Sequence, residues 1–89
     1  MMIMVKREIT YTRKKGGKII ALCNPGMTWS PLDEDMAITH IEFNIHSYYV
    51  NFPDLGPIPI KVLQDENGRY LGTDPNVTNH NLLDDLPDC

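Results

Sequence analysis

Residues 69–89 read Arg69-Tyr70-Leu71-Gly72-Thr73-Asp74-Pro75-Asn76-Val77-Thr78-Asn79-His80-Asn81-Leu82-Leu83-Asp84-Asp85-Leu86-Pro87-Asp88-Cys89. Tyr70 to Thr73 has the composition of a short strand, and Asp74-Pro75-Asn76 forms a turn. Leu82, Leu83 and Leu86 follow at i, i+1, i+4, so a single helical turn would gather them on one face. Asn79 or Asn81 is placed to cap that turn, and Pro87 closes it. One turn is not stable by itself. It must dock on a sheet, so the preceding residues are expected to build one.

Working backward, Asp65-Glu66-Asn67-Gly68 is the strongest turn signal in the chain, and Asn-Gly between two strands predicts a type I′ hairpin. Ile58, Ile60 and Val62 alternate with Pro59 and Lys61; Pro59 cannot donate to a ladder, which predicts a free edge there. Pro53 to Pro57 is a turn, and Ser47 to Phe52 is a strand rich in aromatic and β-branched residues. Ser30 followed by Pro31, with Asp33, Glu34 and Asp35 behind it, predicts a helix start. Ala37, Ile38, Ile41 and Ile45 would share one face and Leu32, Met36 and Phe43 another. The helix should end near Glu42 or Phe43, with Asn44 as a left-handed cap. The perfect alternation of Ile41 to His46 competes with it, as a strand beginning near Thr39.

At the other end, Ile3, Val5, Ile9 and Tyr11 alternate with Lys6, Glu8, Thr10 and Thr12, the pattern of one half-buried strand with Arg7 as a misfit on its apolar face. Lys14-Lys15-Gly16-Gly17 turns the chain, and Lys18 to Cys23 is apolar enough to be a central strand covered on both faces. Asn24-Pro25-Gly26 stops it. The order is β-β-α-β-β-β. It predicts one α+β domain over residues 1–89, with a twisted antiparallel sheet of about five strands that can curl toward a small barrel, and one short helix.

The pattern Y-L-x-T, a turn with Asp and Pro, then N-L-x-x-L-P-x-C is carried here by Tyr70, Leu71, Thr73, Asp74, Asn81, Leu82, Leu86, Pro87 and Cys89. It resembles a family of small bacterial and archaeal proteins classed as a domain of unknown function. Ile38, Ile41, Asn44, Tyr48, Tyr49 and Val50 echo it upstream, although the family usually has Gly where Asn44 stands and one residue fewer before the tyrosine pair. The resemblance implies a common fold and carries no activity with it.

The formal charge of −4 is unevenly spread. Residues 1–18 hold six of the eight cations (Lys6, Arg7, Arg13, Lys14, Lys15, Lys18) and one acid, Glu8; the rest holds two cations and eleven acids, so the parts are +5 and −9. An acidic total argues against a nucleic-acid module. The alternative is phosphate binding by Arg13, Lys14, Lys15 and Lys18 with Tyr11 as a stacking platform. No apolar run has the length of a membrane span. Met1 to Val5 is too short for a signal-peptide core, which points to the cytoplasm and to Cys23 and Cys89 as free thiols.

His40, His46, His80 and the cysteines show neither C-x-x-C nor H-x-x-x-H spacing, so no metal or other cofactor is expected. Asp74, Asp84, Asp85 and Asp88 lack the pattern of a calcium loop. No thiol or hydroxyl sits in a nucleophile motif, and no catalytic residue is assigned. Trp29, Thr73, Asp74 and Asn81 are the candidate ligand-binding residues, as a polar pocket between the last loop and the indole. The expectation is a non-enzymatic interaction or accessory module with an unassigned partner, another protein being one candidate.

Overall fold

The computed structural model describes residues 5–89, so Ile3 lies outside the described residues. The strands are β1 (Val5–Glu8), β2 (Tyr11–Lys15), β3 (Lys18–Cys23), β4 (Leu32–Asp33), β5 (His46–Phe52), β6 (Gly56–Pro59), β7 (Lys61–Asp65) and β8 (Gly68–Gly72); helix α1 is Glu34–Glu42, and Leu82–Asp85 is a 3-10 turn. The α+β class stands. The single sheet does not: the described strands form three sheets, ordered β1-β5-β6, β2-β3-β4 and β7-β8, with no closed barrel. Nor is the pairing wholly antiparallel, since β1 runs parallel to β5.

Two buried isoleucines divide what the alternation reads as continuous strands. The Ile9 amide donates to the Tyr49 carbonyl at 2.8 Å, while the next amide, Thr10, donates to Cys23 at 3.0 Å. Consecutive amides thus serve different sheets, and the chain turns a corner between β1 and β2. The corner resets the alternation, so Thr12, expected on the polar face, is fully buried. Ile60 does the same between β6 and β7, its amide bonding the Tyr48 carbonyl at 2.8 Å before Lys61 begins the pairing with β8. Period-2 patterning reports which side chains go inward but not where the ladder partner changes.

The turns redistribute in the same way. Gly16 and Gly17, with φ of 59° and 80°, make the type I′ connection of the β2–β3 hairpin. The Asn67-Gly68 site is not type I′, because Asn67 keeps a negative φ and only Gly68 is positive, at 122°. Asp65 Oδ1 instead accepts from the Asn67 amide at 2.8 Å. Pro59 lies on the edge strand β6, where its missing donor costs no ladder bond.

The helix starts later than the Ser30-Pro31 reading places it. Leu32 and Asp33 first pair with β3, and α1 begins at Glu34 with Asp33 at the N-cap making no side-chain cap bond. The Ser30 hydroxyl accepts from the Asn24 amide at 2.9 Å, closing the loop rather than capping the helix. The C-terminus matches the expectation: Asn44 is left-handed, with φ 57°. Ile45 N–H donates to the His40 carbonyl and Asn44 N–H to Ile41, the pair of bonds of a Schellman motif. Ala37 and Ile38 are buried and Ile41 partly so, whereas Met36 and Phe43 are exposed.

Leu22, Val50 and Leu83 are completely buried beside Ala37, so all the sheets and the last turn share one core. Asn81 caps that turn, its side chain accepting from the Leu83 amide at 3.1 Å and donating to the Leu71 carbonyl at 3.0 Å. The amide reaches over Gly72, where an added Cβ would lie 2.9 Å from Asn81 Nδ2 and from Leu63 Cδ1. Leu82 is buried, but Leu86 only half so.

The free-thiol expectation is overturned, because Cys23 and Cys89 are joined with their Cα atoms 6.5 Å apart. The Thr12 amide donates to the Pro87 carbonyl and the Cys89 amide to the Thr12 carbonyl, both at 3.0 Å. Tyr11, next to Thr12, is opposite Cys23 in the β2–β3 ladder. Residues 87–89 therefore run along β2 and end beside the close of β3, a proximity that a separation of 66 positions conceals.

Candidate functional site

Arg7, the misfit of the first strand, is the centre of the most chemically loaded cluster among the described residues. It lies on β1, and the parallel register sets it opposite Tyr48 on β5. Its Nη1 donates to the Tyr48 hydroxyl at 3.0 Å and its Nη2 to His46 Nε2 at 3.2 Å. The guanidinium carbon stands 5.1 Å from the Trp29 ring centre and 5.8 Å from that of Tyr48, within reach of both π faces. His40 comes from α1, and its Nδ1 is 2.7 Å from the Tyr48 hydroxyl. The Schellman turn brings His40 and His46 together across only five residues, with ring centres 5.0 Å apart and edge to face.

A guanidinium only donates, which assigns the tautomers. His46 accepts at Nε2 and so, when neutral, carries its proton on Nδ1; that atom is buried and has no partner among the described residues. Tyr48 accepts from Arg7 and turns its own proton to His40 Nδ1, so a neutral His40 holds its hydrogen on Nε2. Burial, the neighbouring His46 and the charge of Arg7 hold His40 below its ordinary value, while burial and Arg7 do the same to His46. Burial pushes the Tyr48 phenol up, and its bond to Arg7 pulls part of the way back. Both imidazoles are therefore neutral near pH 7, and a single cation stands among neutral rings.

No carboxylate among the described residues pairs with Arg7: Glu34, Glu42, Asp74 and Asp88 pair with other cations, and Asp85 lies against the His80 imidazole. Two of the five N–H donors of Arg7 are used by Tyr48 and His46. The arrangement is a positive, donor-rich wall with aromatic backing, suited to an anionic group. No group of three or more His, Cys, Asp or Glu gathers as a metal cage among the described residues.

Of the residues singled out from the sequence, Trp29 joins the Arg7 cluster, and the others are placed elsewhere or are already bonded. Trp29 belongs to this wall, set edge to face on Tyr48 at 6.0 Å. Thr73 is buried and bonds Thr78 Oγ1 at 2.9 Å, accepting also from the Leu82 amide. Asp74 accepts from the Asn76 amide and Lys61, which together hold its carboxyl below the usual range. With Asn81 spent on Leu71 and Leu83, these three residues organise the last loop. In the basic hairpin, Lys14 Nζ bonds Thr12 Oγ1 at 2.8 Å and the Leu86 carbonyl at 3.1 Å, and Lys18 pairs with Glu34 at 3.5 Å. Arg13 and Lys15 are exposed, and Tyr11 is half-buried.

The spread of the histidines and Arg7 over three elements conceals them as a site in the sequence. The signals were present: an arginine on an apolar strand face, and a left-handed cap residue between His40 and His46. Comparisons with protein-family models, with curated proteins and with solved structures find no match.

Proposed function

We propose that the protein is a non-enzymatic interaction module that captures a carboxylate of a partner protein at the wall formed by Arg7, His40, His46 and Trp29. The observation that carries this reading is the half-buried Arg7 guanidinium, held by two neutral acceptors and lacking a carboxylate of its own among the described residues. A charge partly withdrawn from water gains most when an opposite charge completes it. Trp, Tyr and Arg are also the residues most often found at the energetic centre of an interface. The buried Tyr48 hydroxyl and the bonded cysteines support binding rather than nucleophilic chemistry. The test is NMR of the imidazole resonances during titration with acetate at constant ionic strength. Saturable shifts of His40 and His46, lost in Arg7→Gln, are expected; shifts that never saturate, or that persist in the variant, reject the reading.

Nucleic-acid binding by the first hairpin is the second reading, favoured by the exposure of Arg13 within β2 and of Lys15 at the turn. With Lys14 engaged and Lys18 only loosely paired with Glu34, it rests on about two to three phosphate contacts and a log–log salt slope of about −2 to −3 on duplex DNA, measurable by fluorescence anisotropy. We also carry the resemblance of the Tyr70–Cys89 pattern to the domain-of-unknown-function family as a proposed kinship. No helix among the described residues is long and apolar enough to cross a membrane. A cytoplasmic location requires the Cys23–Cys89 bridge to persist against cellular reductants. Alkylation of the thiols in intact cells, followed by mass measurement, tests it.

A further inference from the structure

A second feature lies apart from the Arg7 wall. The start of β3, the first residue of α1, the β7–β8 hairpin and the last 3-10 turn enclose a groove of about 470 Å³. Lys18, Glu34, Asp65, Arg69, Tyr70 and Asp84 line it. Glu34 is 9% exposed, an uncommon degree of burial for a carboxylate. Its Oε1 faces Lys18 Nζ at 3.5 Å, but Oε2 is buried and has no hydrogen-bond partner among the described residues. A buried carboxylate oxygen without a donor is costly, so its environment calls for one. The nearby cations do not supply it. The Lys18 side chain is 63% exposed, and Arg69 is turned to Glu42 on the far part of the helix.

We propose that this groove binds an organic cation, a primary ammonium or guanidinium group, with the Glu34 carboxylate as its acceptor once Oε2 turns from its buried position into the groove. Asp65 and Asp84 add negative charge at the rim, and Tyr70 supplies an aromatic wall against which such a cation is stabilised. Three carboxylates face one weakly held lysine once Arg69 is assigned to Glu42. An anion is therefore repelled, and an uncharged ligand leaves the field unbalanced. A volume of this size takes one extended side chain or a short amine. The site is independent of the anion reading, since it shares no residue with the Arg7 wall.

Amide-resolved NMR of the intact chain tests the proposal. The probes are N-acetyl-lysine methylamide, N-acetyl-arginine methylamide and putrescine, with N-acetyl-norleucine methylamide as the uncharged control. The charged probes should shift the amides of Lys18, Glu34 and Arg69 to Leu71 with a Kd on the order of 1 mM, and the norleucine probe should not. Tighter binding of the amino-acid probes identifies a partner's basic side chain as the source of the cation, and tighter binding of putrescine a free polyamine. Glu34→Gln should weaken binding about tenfold. If that variant does not fold, Asp65→Asn combined with Asp84→Asn decides the matter, because both side chains are exposed, and it should also weaken binding. Equal binding of the norleucine probe, or unchanged affinity in the folded variant, overturns the proposal. Arg7→Gln should leave these shifts intact, which separates this site from the anion site.

Discussion

The amide of Cys89 donates to the carbonyl oxygen of Thr12 at 3.0 Å, and the Thr12 amide in turn donates to Pro87. This short parallel bridge lays residues 87–89 along β2 and brings Cys89 to Cys23. Thr12 serves the same attachment with its side chain, which donates to the Leu83 carbonyl at 3.4 Å and accepts from Lys14. The last turn is thus fastened by main chain, side chain and a covalent bond at once.

Bridging residues 66 positions apart restricts the unfolded chain by about 4 kcal/mol in the chain-entropy picture. Cys89→Ser is expected to lower the unfolding free energy by about 2–4 kcal/mol. In urea titrations, reductant should lower the wild-type midpoint and leave that of the variant unmoved. Equal midpoints for both proteins without reductant would mean that the bridge adds nothing to the hydrogen bonds.

Leu83 and Leu86 share a turn but not a degree of burial. Leu83 has no exposed surface, whereas Leu86 only packs against the margin of the core. Leu83→Ala should cost about 2–5 kcal/mol, the range for a fully buried leucine, and Leu86→Ala clearly less. Thermal unfolding of the two variants side by side checks the order. A reversed order would mean that the turn is anchored by its end rather than its middle.

The two histidines set a pH dependence. Both are held below the ordinary 6.5, so just below that pH the unfolded chain binds protons that the folded chain does not. Stability is full above pH 6.5 and is lost as pH falls through the folded values, before most carboxylates titrate. His40→Gln combined with His46→Gln should flatten the upper part of that decline, read as the thermal midpoint against pH. A bound carboxylate reverses the sign at this site, because it favours the imidazolium; affinity for acetate should therefore rise from pH 7.5 to about pH 6.

Local chemistry was legible wherever a residue acts on its near neighbours. Asn44 announces a left-handed cap, Gly16-Gly17 a tight hairpin, the pair Asn79 and Asn81 a cap for the leucine turn, and the run to Cys23 a central strand; each depends on a few adjacent residues and on backbone sterics. Alternation also sends Ile9, Ile58 and Ile60 inward, because the period of a strand does not depend on which strand lies next to it. Partner choice depends on exactly that. Whether Ile9 and Thr10 bond one sheet or two, whether β1 lies parallel to β5, and whether Cys89 meets Cys23 are settled by contacts between residues far apart in the chain. Shared burial of one core decides those contacts, and local propensity does not encode them. The Arg7 wall has the same origin. The sequence by itself determined that an arginine stands on an apolar face and that a candidate left-handed cap, Asn44, lies between two histidines; only the tertiary structure closed that turn and set Tyr48 and Trp29 around the arginine, because a charge withdrawn from water is held in place by neighbours from other elements.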